Sequence, residues 1–575
     1  MGEARIFTVA PGVPFLPALA EALLAGRLIP SFPDADDPLS LAGAVIYVPT
    51  RRAGRALAAL LAEGAGAGAV LLPRIVPLGE ADAAEPELPD DGAWLDPPVA
   101  PLERRLILAH LTQAWARRVD RSAMRHDEAT PFLVPGTPAA ILDLAAALEG
   151  LMDDLTHEGL PWDALQAAVE GDFSRYFEVT LDFARIASAF WPARLKERGA
   201  SDPVLRRTLA IERQATRLLA ERPRTPVVIA GSTGSLPATA ALIRAVAHLP
   251  RGAVVLPGLD HDLDAAGWAA IGGNADADCV HGHPQAVLRR LVEEHLRVPR
   301  EAVRPLGQPE EGPAARARLL SQALRPAETT EAWAALPAGE REALGRAGCE
   351  GLSLVEAADE REEALAIAVA LRETLSVPGR TAALVTPDRG LAARVAAELG
   401  RWDVTVDDSA GQPLGQASAG RLARLAAEAA ASDFAPLKVL ALLAHPAVRL
   451  GLPRGVLEAA ARALEIGAFR GPRPAPGLAG LGRALDLRRG EEGGPLPRRR
   501  LAEGDWAGAA DLLTRLGGAF EGFAPADWPE DGIDLRGLCA PHRRAVERLL
   551  ETPEGGPAYV EDGSADALWA LLDEL

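Results

Sequence analysis

Apolar runs rich in β-branched residues alternate along this chain with segments whose apolar positions have helical spacing. In residues 226–260 the runs VVIAG and GAVVLPG bracket an amphipathic segment from Pro237 to His248. Parallel neighbouring strands need such a crossover helix, so this stretch predicts a β-α-β unit. Residues 44–63 and 381–400 repeat the order of buried run, turn with Thr and Arg, and helix. The pattern predicts an α/β fold with parallel sheets, an architecture used at least twice.

Small and polar residues follow the predicted strands, at the end where open α/β sheets bind their ligands. The turn at 231–235 reads GSTGS, and Thr50, Arg51 and Arg52 follow the apolar run that ends at Val48. Hydroxyl and guanidinium groups suit contacts with a phosphate backbone. Plain solvated charge at a helix start is the alternative, but arginines there oppose the helix dipole, which adds weight to a functional role.

Further arginines lie in or after predicted strands. Arg74 belongs to VLLPRIVPLGE (70–80), which predicts another buried strand. The turn TPDR, from Thr386 to Arg389, follows the predicted strand TAALV, and the next strand is predicted at WDVTV (402–406). These positions repeat the turn chemistry seen after Val48.

The first predicted strand, RIFTV, is followed by a loop where a nucleotide-binding P-loop would lie. A P-loop needs G-x-x-x-x-G-K-[ST], because its backbone N–H groups, lysine and hydroxyl bind the phosphates and magnesium. The loop from Pro11 through Gly12 to Phe15 has two prolines and one glycine, without Lys, Ser or Thr. We therefore predict a plain entry into a helix. The lysines found elsewhere, Lys196 and Lys438, have no glycine cradle.

Two enzyme classes remain as alternatives. An active P-loop ATPase or DNA helicase would require the missing GK[ST] element. A dinucleotide or nucleotide-sugar enzyme would use a Rossmann-like sheet, but GSTGS lacks the G-x-G-x-x-G spacing, and Asp260 is the nearest acidic residue after the next strand.

Two groups of residues have the chemistry of metal ligands. They are His261, Asp262, Asp264, His281 and His283, and the pair Asp407–Asp408. The first group lacks the patterns of zinc sites, and the second has no third carboxylate nearby. Both are more typical of turns and helix caps, so we predict no metal site in this chain.

Residues 101–221 show apolar i, i+3, i+4, i+7 spacing, which predicts a helical insertion within the first α/β domain. We expect its aromatic residues, such as Phe177, Phe183 and Phe190, in a core and not on a base-stacking surface. The acidic, Pro-rich residues 81–100 are predicted to form a linker.

Composition limits the class of protein. A chain of 575 residues holds several domains, and three widely separated cysteines predict a reduced, cytoplasmic protein without disulfides or structural zinc. A signal-peptide pattern and apolar runs of about 18 residues are absent, so we expect neither export nor a membrane span. The net charge of −20 argues against a stand-alone nucleic-acid binder. DNA contact would need local arginine patches or a basic partner.

Several separated segments together resemble one protein family. They are VPTRR (48–52), LLPRI (71–75), VIAGSTGS (228–235), VVLPGLD (254–260), HPQ (283–285), EALAIA (363–368), ALVTPDR (383–389) and DDSAGQPL (407–414). In this order and spacing the chain is similar to AddB proteins of the alphaproteobacterial type, the second subunits of AddAB helicase–nucleases for double-strand break repair. The resemblance covers most of the chain.

The resemblance implies two RecA-like domains of the P-loop NTPase or superfamily 1 helicase type, each with a parallel sheet and a helical insertion. The implied divisions are a first RecA-like domain at 1–100 and 223–310, a helical insertion at 101–222, a linker at 311–350, a second RecA-like domain at 351–420 and a helical insertion at 421–575.

The resemblance also implies a function. AddB-type chains are non-motor subunits whose degenerate helicase core holds and scans DNA, with recognition of the recombination hotspot Chi. The implied partners are an AddA-type helicase–nuclease subunit, in a heterodimer, and DNA ends or single-stranded DNA. The implied DNA contacts are Thr50, Arg51, Arg52, Arg74, Thr386 and Arg389. The family's C-terminal nuclease domain, with its magnesium site and iron–sulfur cluster, has no counterpart in this sequence, so we expect no catalytic residue and no cofactor here.

Overall fold

The computed structural model describes two units, which are presented separately. They are Met1–Leu354 and Val355–Leu575. The described residues are 4–34, 37, 39–64, 71–78, 96–118, 137–164, 174–272, 282–491, 494–525, 534–558 and 563–574.

The first unit contains a six-stranded parallel sheet in the order β3-β2-β4-β5-β1-β6. Its strands are β1 (Ile6–Val9), β2 (Val45–Val48), β3 (Arg74–Pro77), β4 (Val227–Ala230), β5 (Gly252–Pro257) and β6 (Arg304–Leu306). β1 and β4 are buried along their whole length, as expected for central parallel strands that are covered on both faces. The predicted α/β class with a parallel sheet is confirmed for this unit.

Helices cover both faces of the sheet. The described helices of the first unit are α1 (Phe15–Leu24), α2 (Arg51–Gly64), α3 (Pro101–Arg118), α4 (Pro138–Glu158), α5 (Ser174–Arg185), α6 (Trp191–Arg198), α7 (Pro203–Glu221), α8 (Pro237–Ala247), α9 (Ala265–Ile271), α10 (Ala286–Arg289), α11 (Glu311–Ala323), α12 (Ala332–Ala335) and α13 (Ala338–Cys349). α1 and α2 pack in one core with Phe7 and Ile46. α7, α8, α9 and α10 pack in the other core with Ile6 and Tyr47.

A helical layer, α3 to α6, precedes α7 and has its own core around Leu108, Leu148 and Trp191. Of the aromatic residues predicted for this core, Phe183 is partly buried and its ring centroid lies 4.9 Å from that of Trp115. Phe190 is exposed. The side chain of Phe177 lies outside the described part.

The described residues of the second unit form helices and loops. The helices are α14 (Glu360–Leu375), α15 (Arg389–Gly400), α16 (Ser418–Ala431), α17 (Pro436–Ala444), α18 (Arg454–Leu464), α19 (Gly477–Arg489), α20 (Leu496–Arg499), α21 (Glu503–Ala519), α22 (Leu535–Leu550) and α23 (Ser564–Glu574). α16 to α19 and α21 to α23 share one large apolar core, whereas α14 and α15 pack on each other around a small one.

The second predicted parallel sheet is not confirmed. The apolar runs that we expected as strands, at 381–385 and 402–406, have no strand pairing among the described residues, and neither has the apolar run at 352–356. Leu354 and Val385 are 88% and 93% exposed. A strand is defined by its neighbour, so an apolar β-branched run without a partner remains extended chain.

No helix among the described ranges is long and apolar enough to cross a membrane.

Candidate functional site at the carboxyl edge of the sheet

Neighbouring strands of the sheet send the chain to opposite faces. β1 leads into α1 on one face, whereas its neighbour β5 leads into α9 on the other. β2 and β4 are neighbours that diverge in the same way, into α2 and α8. Ligands of open α/β sheets bind in the crevices that such switch points leave at the carboxyl ends of the strands. The candidate site therefore has two parts, one at β2–β4 and one at β1–β5.

At the β2–β4 crevice, Thr50, Arg51 and Arg52 come directly after Pro49, which approaches the GSTGS turn. The Thr50 side-chain oxygen accepts the N–H of Ala53 at 3.1 Å, which fixes the start of α2. Arg51 and Arg52 are exposed in the first turn of that helix. A Cβ added at Gly231 would lie 3.3 Å from a ring carbon of Phe15 and 3.3 Å from Cδ of Pro49, so the turns after β2 and β4 touch.

The loop after β1 packs tightly against the chain that follows β6. Gly12 has a φ of +86°, and a Cβ added there would lie 2.5 Å from the Pro313 Cβ. Pro11 and Pro14 have no N–H group, and the N–H of Val13 donates to the Ala10 carbonyl at 3.1 Å. α1 begins at Phe15 without a side-chain cap. Few backbone donors of this loop therefore remain for a phosphate.

Arg74 lies at the other edge of the sheet. It is the first residue of β3 and pairs with Val45 at the start of β2, five residues before Thr50. At about 3.3 Å per residue this separation is roughly 16 Å. Burial raises the pKa of Tyr47, an effect that a hydrogen bond from Gln214 and the charge of Arg74 partly offset. The structure therefore groups Arg74 with Tyr47 and not with the Thr50 cluster.

Thr386 and Arg389 belong to the second unit, where each has a local partner. The Arg389 guanidinium makes a bidentate pair with Asp408, at 3.1 and 2.5 Å, and donates to the Gly411 carbonyl at 3.0 Å. This pairing raises the pKa of Arg389. The Thr386 hydroxyl accepts the N–H of Asp388 at 3.0 Å. Arg389 thus fixes the loop that follows the apolar run at 402–406. A phosphate would have to compete with Asp408 for its guanidinium group.

At the β1–β5 crevice the structure contains a cavity of about 390 Å³. One wall is fixed by side chain to backbone hydrogen bonds. The Asp260 carboxylate accepts the N–H groups of Asp262 and Leu263 at 2.8 and 3.0 Å. Gln285 accepts from the N–H of Asp260 and donates to the Gly258 carbonyl, both at 3.0 Å. The polar residues of this wall are therefore held in place before any ligand arrives.

The titratable groups at the cavity mouth are shifted by their surroundings. Burial and the neighbouring Asp260 raise the pKa of Asp262, while Arg318 opposes this. Burial and the charge of Arg300 lower the pKa of His261. Each shift extends the pH range over which the group is uncharged.

Asp264 acts as a helix cap, as the turn-and-cap interpretation expects. It accepts the N–H of Gly267 at 2.8 Å and pairs with Arg325 at 2.8 Å, which lowers its pKa. His281 lies outside the described residues. In the described part of the chain, groups of three or more His, Cys, Asp or Glu side chains arranged to hold a metal ion are absent.

The outer wall of the cavity comes from α11, which lies inside the predicted linker at 311–350. Ala317, Leu320, Ser321 and Leu324 of this helix line the cavity. Their i, i+3, i+4, i+7 spacing is a helical signal that the sequence contains. Sequence reasoning missed it because the surrounding residues are polar and rich in Pro and Glu.

No protein-family model matches the sequence, and neither does any curated protein.

Proposed function

We propose that this chain is the non-motor subunit of a bacterial helicase–nuclease complex that prepares double-strand breaks for homologous recombination. In this proposal the first unit is a degenerate RecA-like core, and the β2–β4 crevice holds the DNA backbone. The observation that carries it is the close approach of Pro49 to Gly231 of the GSTGS turn, because Thr50, Arg51 and Arg52 come directly after Pro49. Hydroxyls, guanidinium groups and helix N-termini are the donors that proteins use to position phosphates.

The strand order supports a RecA-like core over a dinucleotide-binding enzyme. In the dinucleotide fold the order is 3-2-1-4-5-6, so that β1 and β2 are neighbours. Here β4 and β5 lie between β1 and β2. The order therefore departs from that of the dinucleotide fold, and the sequence resemblance points to a RecA-like core.

The loop after β1 supports a subunit without motor activity, against the alternative of an active ATPase. It has two prolines, lacks a lysine and packs against Pro313. ATP hydrolysis would then come from an AddA-type partner, which would also supply part of the positive field that a chain of net charge −20 lacks. Magnesium and the iron–sulfur cluster belong to the nuclease domain of the family, and Chi-type recognition follows from the same resemblance. The proposed cytoplasmic location rests on the few, widely separated cysteines.

In this proposal the implied DNA contacts do not all act together. Thr50, Arg51 and Arg52 are the residues that contact the backbone of the DNA strand. Arg74 lies at the amino-terminal edge of the sheet, so it would contact DNA only if the DNA strand followed a different path over the protein. Arg389 would touch DNA only after exchanging Asp408 for a phosphate.

The test is the salt dependence of DNA binding by the chain with its motor subunit. The probe is a duplex end with a short 3′ single-stranded tail, and the variant is Arg51→Ala with Arg52→Ala. Each lost phosphate contact should reduce the slope of log K against log salt by about 0.7 on single-stranded DNA, so the pair should remove about 1.4. Arg117→Ala with Arg118→Ala, an exposed adjacent pair at the end of α3, is the matched control. Equal slopes for both variants and the wild type would refute the assignment.

A further inference from the structure

The cavity at the β1–β5 crevice has the size and lining of a small-ligand site. Its volume of about 390 Å³ falls in the range of such sites. The lining is mostly apolar and includes Pro11, Pro284, Pro305 and Pro309, with Leu320 and Leu324 of α11 at the outer side. Both leucines are about half exposed. The apolar surfaces of proline rings and aliphatic side chains suit a planar, apolar ring face.

Two polar side chains in the wall lack partners. His283 is 9% exposed, and its Nδ1 accepts the N–H of Gln285 at 3.1 Å. The neutral ring therefore carries its hydrogen on Nε2, which is buried without a hydrogen-bond partner. The hydroxyl of Ser321, a residue 7% exposed, is also buried and unpartnered. Buried donors without partners are costly, so two in one cavity wall indicate a ligand that pairs with them.

Charge at the mouth decides which kind of ligand fits. Asp260 and Asp262 line the cavity opposite one guanidinium, that of Arg318. Two carboxylates repel a phosphate group, and a purely apolar side chain would leave His283 and Ser321 unpaired. A nucleobase meets both conditions, because it is uncharged, has apolar faces and carries hydrogen-bond donors and acceptors on one edge.

We propose that this cavity receives one unpaired base of the DNA strand whose backbone lies at the β2–β4 crevice; this rests on the proposed function. Three strand spacings separate β2 from β1 in the sheet, which is roughly 14 Å. A single strand bridges such a distance within a few nucleotides. The phosphates and the base would then be bound at two neighbouring crevices of the same sheet edge.

The test compares two single-stranded oligonucleotides of equal length, one with bases and one with abasic sites throughout. Binding of each is measured with the full chain, with and without its motor subunit. The base-bearing strand should bind roughly tenfold more tightly, the size of one well-stacked base. Ala317→Phe, which fills the cavity, should remove this preference, whereas Ala323→Phe, at an exposed position of the same helix, should keep it.

A second variant separates binding from folding. Ser321→Ala removes an unpartnered hydroxyl, so it should leave the melting temperature unchanged or raised while it lowers the preference for bases severalfold. Arg51→Ala with Arg52→Ala should weaken both oligonucleotides and keep the preference. Equal binding of the two oligonucleotides by the wild type, or a preference that survives Ala317→Phe, would overturn the base site alone. Binding of neither oligonucleotide would overturn the proposed function as well.

Discussion

Arg104 is the residue whose loss we expect to damage the first unit most. It is 3% exposed, and its guanidinium lies 3.3 Å from Glu149, 2.6 Å from Asp153 and 2.9 Å from Asp202. It thereby joins α3 to α4 and to the start of α7. Asp202 also caps α7 and accepts the indole N–H of Trp191 at 3.1 Å.

Arg104→Met would keep much of the side-chain volume and remove the charge. Burial lowers the pKa of Arg104, but the hydrogen bond to Asp153 and the nearby carboxylates outweigh it and raise the pKa overall. Removing one partner of a buried ion pair costs about 3–5 kcal/mol, because the remaining charges stay buried without compensation. At about 1.4 kcal/mol per factor of ten, opening of this layer should become roughly 100- to 4,000-fold more frequent.

Hydrogen exchange measured by mass spectrometry on peptides from α3 and α4 would show this change, since it reports opening region by region. Arg105→Met is the matched control: Arg105 also pairs with Glu149, but its side chain is 42% exposed. Exposed pairs contribute about 1 kcal/mol or less, so the control should exchange nearly as the wild type does. Equal exchange in the two variants would refute the idea that Arg104 holds this layer together.

Two further predictions concern the β1 loop and pH. Gly12→Ala should destabilise the first unit by about 1–3 kcal/mol, because it adds a methyl group 2.5 Å from the Pro313 Cβ at a residue with positive φ. Gly43→Ala is the control, since its methyl group would meet nothing within 4 Å, and it should lower the melting temperature less. Equal melting temperatures for the two variants would contradict the tight packing at Gly12. Burial lowers the pKa of His542, whose ring stacks on that of Phe523 with the centroids 4.7 Å apart. The unfolded chain therefore binds more protons than the folded chain, and the free energy of unfolding should fall as the pH drops below about 6.5. His542→Phe should flatten this dependence in melting curves between about pH 7.5 and 5.5, and an unaltered dependence would exclude His542 as its source.

The β-α-β unit could be predicted closely from sequence. β4, α8 and β5 lie within a residue or two of the bounds that the pattern indicates, because the two strands are almost entirely buried and α8 buries most of its residues, so that composition and spacing specify them. The runs at 381–385 and 402–406 have the same composition and form no strand. Pairing depends on distant segments, and a local pattern does not contain that information.

The residues of the candidate site can also be divided into those that the local sequence pattern predicts and those whose position depends on distant segments. The sequence places Thr50, Arg51 and Arg52 after a strand, and parallel pairing brings the preceding residue, Pro49, to the GSTGS turn, as the shared sheet edge predicts. For Arg74 the local pattern is insufficient, because the strand's first residue and its register with β2 decide on which edge the side chain lies. The cavity depends on α11, whose apolar face was not predicted because the surrounding sequence is polar and rich in Pro and Glu.

The place of β1 in the sheet has a consequence for synthesis of the chain. Its neighbours are β5 and β6, and the Thr8 hydroxyl donates to the carbonyl of Leu256, 248 residues later. At roughly 5–20 residues per second a ribosome needs about 12–50 s to reach β5. The apolar segment IFTV therefore leaves the ribosome long before its partners exist. Nascent chains of this protein should depend on chaperones until β5 emerges, and the sheet closes only when the ribosome has made β6.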